Sequence, residues 1–160
     1  MKILKRHFQA FDLNNPDNDI DRVIEFYVED PLPFNAKNLT EYFKDEYVTE
    51  TFSQTVLKYV IEHDLSSKDI YERSFIDRKL FHKILSVPGY HPSKKTVLAL
   101  CIALRLNLEQ ATQLLMLADY ALSKNSKYDL IFKFAFTEGA YDLDDINECL
   151  AHFNLPCIGS

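Results

Sequence analysis

The sequence predicts an all-α fold, and three observations lead to this prediction. Apolar residues recur at spacings of three and four along most of the chain, no stretch shows a convincing two-residue alternation, and capping residues precede most of the periodic stretches. The length of 160 residues, with 47% hydrophobic and 26% charged residues, is typical of one globular domain or of a small domain with extensions.

Residues 1–51 are predicted to form an acidic N-terminal extension that is partly helical. Apolar residues on one face predict a helix over 19–29, which Pro31 would end. Asn38, with Glu41 three residues later, is the predicted N-cap of a second helix with an aromatic face.

The middle of the chain, over 52–122, predicts five consecutive helices. They cover 52 to about 64, 67–74, 77–86, 94–106 and 108–120. Capping residues precede each of them: Thr51 with Gln54, Ser66 with Asp69, Asp77, Ser93, and Asn107 with Gln110. The helix over 94–106 is apolar nearly all round, so we expect it to lie in the middle of a core.

Residues 123–160 predict a C-terminal extension of two helices. These cover 127–138 and 143–153, with Ser126 and Asp129 at the first start, Gly139 at the first end, and Asp142 and Asp145 at the second start. Phe132 and Phe136 share one face of the first helix, whereas Phe134 points elsewhere. Because this helix carries apolar groups on more than one side, we expect it to pack against a second chain, as in a homodimer.

Charge is segregated along the chain. The net charge is −6, which taken alone argues against binding to nucleic acid. However, residues 68–105 contain eight basic and three acidic residues, a net charge of +5, while residues 1–51 and 106–160 each have a net charge of −5. Any polyanion would therefore meet the middle of the chain, and the acidic flanks would face away from it or contact a protein.

Several classes of function are disfavoured by the composition. The only glycines, Gly89, Gly139 and Gly159, are isolated, which excludes the phosphate-binding loops of ATPases and the Rossmann turn. The histidines and cysteines do not show the spacing of a metal site, and no catalytic triad can be argued. We therefore expect no metal, no cofactor and no enzymatic activity, and a cytoplasmic protein that does not enter a membrane.

The basic middle segment has a defined geometry. On a helix over 77–86, four basic side chains fall within one arc opposite the apolar face: Arg78, Lys79, His82 and Lys83. No acidic residue is interleaved in this arc. The loop and helix start that follow add further polar groups, at a helix N-terminus that favours phosphate: Tyr90, His91, Ser93, Lys94 and Lys95.

The middle of the chain resembles the λ-repressor-like (XRE-type) helix-turn-helix family. The resemblance covers about 52–120 and rests on SSKDIYERSFIDRKLFHKI over 66–84 and HPSKKTVLALCIAL over 91–104. The second half of the first stretch also resembles helix-turn-helix tails of some bacterial proteins, including macro-domain proteins. The resemblance implies a five-helix core with N-terminal and C-terminal helical extensions.

The resemblance also implies a function. The helix over 77–86 would enter the major groove of double-stranded DNA, with Arg78, Lys79 and His82 near base edges. The expected phosphate contacts are Lys68, Ser93, Lys94 and Lys95. These features predict a sequence-specific transcriptional regulator that acts as a homodimer.

Two positions depart from the family pattern and leave other functions open. The family usually has a small residue where Tyr71 stands, and often a glycine where Phe75 stands. The alternative is a protein-interaction module, such as an adaptor, an antitoxin-like inhibitor or a phage-defence accessory, that keeps the fold without binding DNA. An inhibitor that mimics DNA through its acidic flanks is a third reading.

Overall fold

The computed structural model describes residues 33–47 and 49–159. All regular elements within these residues are helices, which confirms the all-α prediction for the described part of the chain. The helices are α1 (Ala36–Glu46), α2 (Phe52–Glu62), α3 (Ser67–Ser74), α4 (Arg78–Ser86), α5 (Lys94–Ala103), α6 (Leu108–Leu117), α7 (Lys127–Glu138) and α8 (Leu143–His152). None of these helices has the length and apolar character needed to cross a membrane. The predicted helix over 19–29 lies outside the described residues.

The chain divides into two units after residue 48, and α1 is the helix described in the first unit. The prediction that Asn38 caps this helix is wrong: Asn35 is the N-cap, and its side chain accepts a hydrogen bond of 3.0 Å from the backbone N–H of Asn38. The Asn38 side chain instead donates to the carbonyl of Pro33. Asn35, three residues before Asn38, therefore has the extended backbone that capping requires.

The second unit is built around α5. Every side chain from Val97 to Ala103 is buried, so this helix is surrounded, as its sequence predicts. Helices α3 and α6 pack against α5, α2 packs against α4 and α6, α7 packs against α6, and α8 packs against α7. The predicted boundary between the domain over 52–122 and the extension over 123–160 stays a prediction.

Side-chain caps define the helix starts of the second unit as predicted. Thr51 with Gln54, Ser66 with Asp69, and Asn107 with Gln110 form reciprocal capping boxes at α2, α3 and α6. Asp77, Ser93, Ser126 and Asp142 cap α4, α5, α7 and α8. Asp129 does not complete a capping box with Ser126, because its carboxylate has other partners, described below.

Four helices end earlier than the sequence predicts. The predictions of 52 to about 64, 94–106, 108–120 and 143–153 are too long, because Asp64, Arg105, Asp119 and Asn154 adopt the left-handed conformation just after the helix. In each case the next residue donates its N–H to a carbonyl five residues back, as in a Schellman motif; Leu106 donates to Cys101 at 3.0 Å. In the sequence, the apolar residue after the left-handed position keeps the helical spacing of apolar residues. The predicted helices therefore extend past their true ends.

One hydroxyl in this unit is buried without a hydrogen-bond partner among the described residues. It belongs to Tyr128 in α7, whose ring lies 5.2 Å from that of Phe132. Burial, together with the negative charge of Asp129, raises the pKa of Tyr128 to about 12, because the phenolate would be desolvated there. The neutral hydroxyl is nevertheless unsatisfied.

We predict that Tyr128→Phe raises the free energy of unfolding by about 1 kcal/mol, because it removes an unsatisfied buried polar group. Urea denaturation followed by circular dichroism measures the change. Tyr120→Phe is the matched control, since the Tyr120 hydroxyl donates to the Pro92 carbonyl at 3.1 Å; this variant should lose about 1 kcal/mol. Equal losses in both variants would contradict the prediction.

Candidate nucleic-acid interface

The candidate site is built on α3, α4 and the turn between them. Helix α3 starts at a capping box in which the Asp69 carboxylate accepts hydrogen bonds from the Ser66 hydroxyl and backbone N–H. These hydrogen bonds lower the pKa of the Asp69 carboxyl below its usual value, because they stabilise the charged form. The helix ends at Ser74, and its C-cap, Phe75, adopts the left-handed conformation at φ 55°.

The turn between the two helices has three residues and is held from inside. The buried Ser74 hydroxyl donates to the Ile70 carbonyl and accepts a hydrogen bond of 3.3 Å from the Ile76 N–H. Ile76 is buried, and Asp77 then caps α4 by accepting from the Leu80 N–H at 2.9 Å. The direction in which the chain enters α4 is therefore fixed by local hydrogen bonds.

The two bulky residues Tyr71 and Phe75 are accommodated in different ways. The ring of Tyr71 in α3 meets the ring of Phe81 in α4 edge-on, with centroids 5.8 Å apart. Phe75 in the turn is only partly covered and lies against Gly159, where an added Cβ would come within 2.9 Å of the Phe75 Cβ. The edge-on contact between Tyr71 and Phe81 thus takes the place of the closer approach of α3 and α4 that a small residue at position 71 would allow.

The outward face of α4 carries the basic arc that the sequence predicts. Phe81 and Ile84 are buried, whereas Arg78, Lys79 and His82 are exposed. The side chains of these three residues form no ion pair or hydrogen bond with any described residue. They are therefore available to an external anion.

Lys83 and Tyr90 extend this arc. The Lys83 ammonium lies 4.4 Å from the centre of the Tyr90 ring, a cation–π contact that keeps the charge at the surface while restricting the side chain. The Tyr90 ring is half-buried against the core. We name the outward side chains of Arg78, Lys79, His82 and Lys83 the α4 arc.

Lys94 is directed into the protein. Its ammonium lies 2.7 Å from the Asp129 carboxylate, whose side chain is only 4% exposed. The same carboxylate oxygen accepts a second hydrogen bond of 2.7 Å from the Ser123 N–H. This ion pair joins the start of α5 to α7, so we leave Lys94 out of the proposed interface although the sequence predicts a phosphate contact there.

The other residues predicted to contact phosphate form hydrogen bonds or ion pairs of different strength with neighbouring residues. Lys95 donates to the Cys157 carbonyl at 3.2 Å, and Ser93 caps α5. Lys68 forms an exposed ion pair with Glu72 at 3.6 Å, and His91 lies 3.6 Å from Asp119. Exposed ion pairs are weak, so Lys68 and His91 can exchange these partners for a phosphate.

The C-terminal tail, residues 155–159, was not predicted to contribute to this region. Ile158 is buried, and the side-chain amide of Asn147 both donates to its carbonyl at 3.0 Å and accepts from its N–H at 2.8 Å. The tail lies beside the turn and the start of α5. An isolated isoleucine after Pro156 gives no periodic signal, which is why the sequence did not reveal this contact.

The chemistry available at this surface is recognition of anions and of hydrogen-bonding groups. Guanidinium, ammonium and imidazole groups are the side chains that bind phosphate oxygens and guanine edges. Among the described residues, no group of three His, Cys, Asp or Glu side chains is placed to hold a metal ion. Burial within α5 raises the pKa of the Cys101 thiol, which keeps it protonated.

Comparisons of this chain with protein-family models, with curated proteins and with solved structures give no significant match.

We predict that Asp129→Asn lowers the free energy of unfolding by about 2 to 4 kcal/mol, because it leaves the partly buried Lys94 ammonium without its counter-charge. Chemical denaturation measures the loss. The control is Asp119→Asn, at a carboxylate that is 89% exposed and pairs only with His91, which should change stability by less than about 0.5 kcal/mol. Similar effects of the two substitutions would show that the buried pair does not hold α5 to α7.

Proposed function

We propose that this protein binds double-stranded DNA in a sequence-specific manner and regulates transcription, with α2 to α6 forming a λ-repressor-like helix-turn-helix core. The order of the helices supports this proposal: a capped short helix leads through a three-residue turn to a basic helix, and a fully buried helix follows. The packing of α3 on α5 and of α2 on α4 is consistent with such a core.

The observation that carries the proposal is the exposure of the α4 arc and the lack of partners for most of its side chains. Arg78, Lys79 and His82 project from α4 without a partner among the described residues, whereas most other lysines of the basic segment are paired or bonded. Exposed basic side chains gathered on one helix face without interleaved acids are typical of a surface that binds a polyanion.

The proposed mechanism follows from the positions of these side chains. Helix α4 enters the major groove, where Arg78 or Lys79 donates to O6 and N7 of guanine and His82 lies one turn further along the helix. Lys83 and Lys68 neutralise phosphates and fix the register without reading sequence. The acidic extensions are excluded from the phosphate backbone by repulsion.

A second candidate function is the protein-interaction module. The observation that favours it is that two lysines of the predicted surface are engaged within the protein: Lys94 is in a partly buried ion pair, and Lys95 is bonded to the C-terminal tail. With fewer free cations, the same helix pair offers a smaller electrostatic contribution to DNA binding. An adaptor or an inhibitor could then use the helix surface for a protein partner.

We predict that the protein binds a pool of random duplex DNA with a steep salt dependence, and that Arg78→Ala combined with Lys79→Ala weakens binding by at least about tenfold at low salt. In the largely non-specific complexes with random DNA we expect both side chains to neutralise phosphates and not to read bases, so the double variant should also lower the slope of log K against log salt by about 1 to 2, since each phosphate contact contributes about 0.9. Fluorescence anisotropy over a series of salt concentrations measures both quantities.

The control is the double variant Lys58→Ala and Lys124→Ala, which removes the same charge from exposed positions outside the α4 arc. It should retain most of the affinity and nearly the whole slope. Absence of binding by the unmodified chain at low salt would reject the DNA-binding proposal and favour the protein-interaction module. Equal losses in both double variants would indicate non-specific attraction without docking of α4.

A further inference from the structure

The outer face of the C-terminal helix pair contains an apolar groove. The groove has a volume of about 400 Å³ and is lined by Lys127, Leu130, Ile131, Phe134, Cys149 and Phe153. Phe134 is 67% exposed and Phe153 is 51% exposed, which is unusual for two aromatic side chains that lie together. We name this feature the α7–α8 groove.

Charged residues mark the two ends of the groove-facing side of α7. Lys127, Ile131, Phe134 and Glu138 follow one another at helical spacing and fall within one arc of the helix, with Leu130 beside them. Lys127 stands at the start of the helix and Glu138 at its end, about 16 Å apart. Neither side chain forms an ion pair with a described residue.

We propose that a second copy of this chain occupies the α7–α8 groove, with the two α7 helices antiparallel about a two-fold axis. In this arrangement Lys127 of each copy pairs with Glu138 of the other. Phe134 of each copy packs on Ile131 and Leu130 of the other, near the axis. The exposed end of Phe153 then covers the edge of the apolar contact that Phe134, Ile131 and Leu130 form.

The distribution of charge is what selects a second copy as the occupant. A two-fold contact brings residue i of one copy against residue j of the other and residue j against residue i, so the surface must complement itself. A stripe with a cation at one end, an anion at the other and apolar residues between meets this condition when it lies antiparallel to itself. Antiparallel helices also place opposite ends of their dipoles together.

The experiment is sedimentation equilibrium on the full chain without DNA, so that its result is independent of the proposed DNA binding. We expect a monomer–dimer equilibrium that Phe134→Glu weakens by roughly 30-fold or more, as for an aromatic residue at the centre of an interface. The control is Ile61→Glu on α2, where the isoleucine is 70% exposed and lies outside the groove. This control should leave the dissociation constant unchanged.

Charge reversal tests the antiparallel geometry. Lys127→Glu alone and Glu138→Lys alone should each weaken the dimer, because each creates two like-charge contacts. Mixing the two single variants should restore association, and so should combining both substitutions in one chain, because opposite charges then face each other again. Circular dichroism confirms that each variant is folded.

The proposal is overturned by three outcomes. One is a protein that stays monomeric at the highest concentrations reached. Another is a dimer that Phe134→Glu and Ile61→Glu affect equally, which would place the interface elsewhere. The last is a dimer whose dissociation constant does not respond to either single charge reversal, as a parallel arrangement of the α7 helices would give.

Discussion

The structure of the second unit depends on the burial of α5. A helix that is apolar on all sides has no face for solvent, so other elements must cover it completely. Helices α3 and α6 cover it directly. The need to cover α5 therefore sets the position of α3, the first helix of the α3–α4 pair. Helix α4 packs on α2 and buries Phe81 and Ile84, which leaves the basic side of α4 pointing outward. The exposure of the α4 arc is thus a consequence of the core.

The start of α5 shows how the same constraint limits the basic surface. The first residues of this helix contact C-terminal elements of the chain, where two adjacent lysines meet different partners. Lys94 reaches the buried Asp129, whose desolvation is offset by the ammonium and by the Ser123 N–H. Lys95 reaches the Cys157 carbonyl. Counting charges along a segment therefore overestimates the charge that the surface presents.

The features that the sequence could predict are those whose causes are local. In the second unit, helix starts follow from capping residues within three positions, and the α4 arc lies within one helix, so both could be predicted. Helix ends were overestimated where Arg105 or Asp119 adopts the left-handed conformation, since neither is the glycine that usually marks this position. The pairing of Lys94 with Asp129 joins residues 35 positions apart, and no pattern in the sequence indicates it.

The small number of free cations on α4 connects the two proposed surfaces. In the proposed mechanism, one copy uses Arg78, Lys79 and His82 at base edges and Lys83 and Lys68 at phosphates, which are few contacts for tight binding of duplex DNA. A two-fold dimer would present two α4 helices at a fixed distance. Binding of the first helix would then raise the effective concentration of the second at its half-site, without any new contact. Because α7 carries the proposed dimer surface and α4 the proposed DNA surface, association would use none of the cations that DNA binding needs.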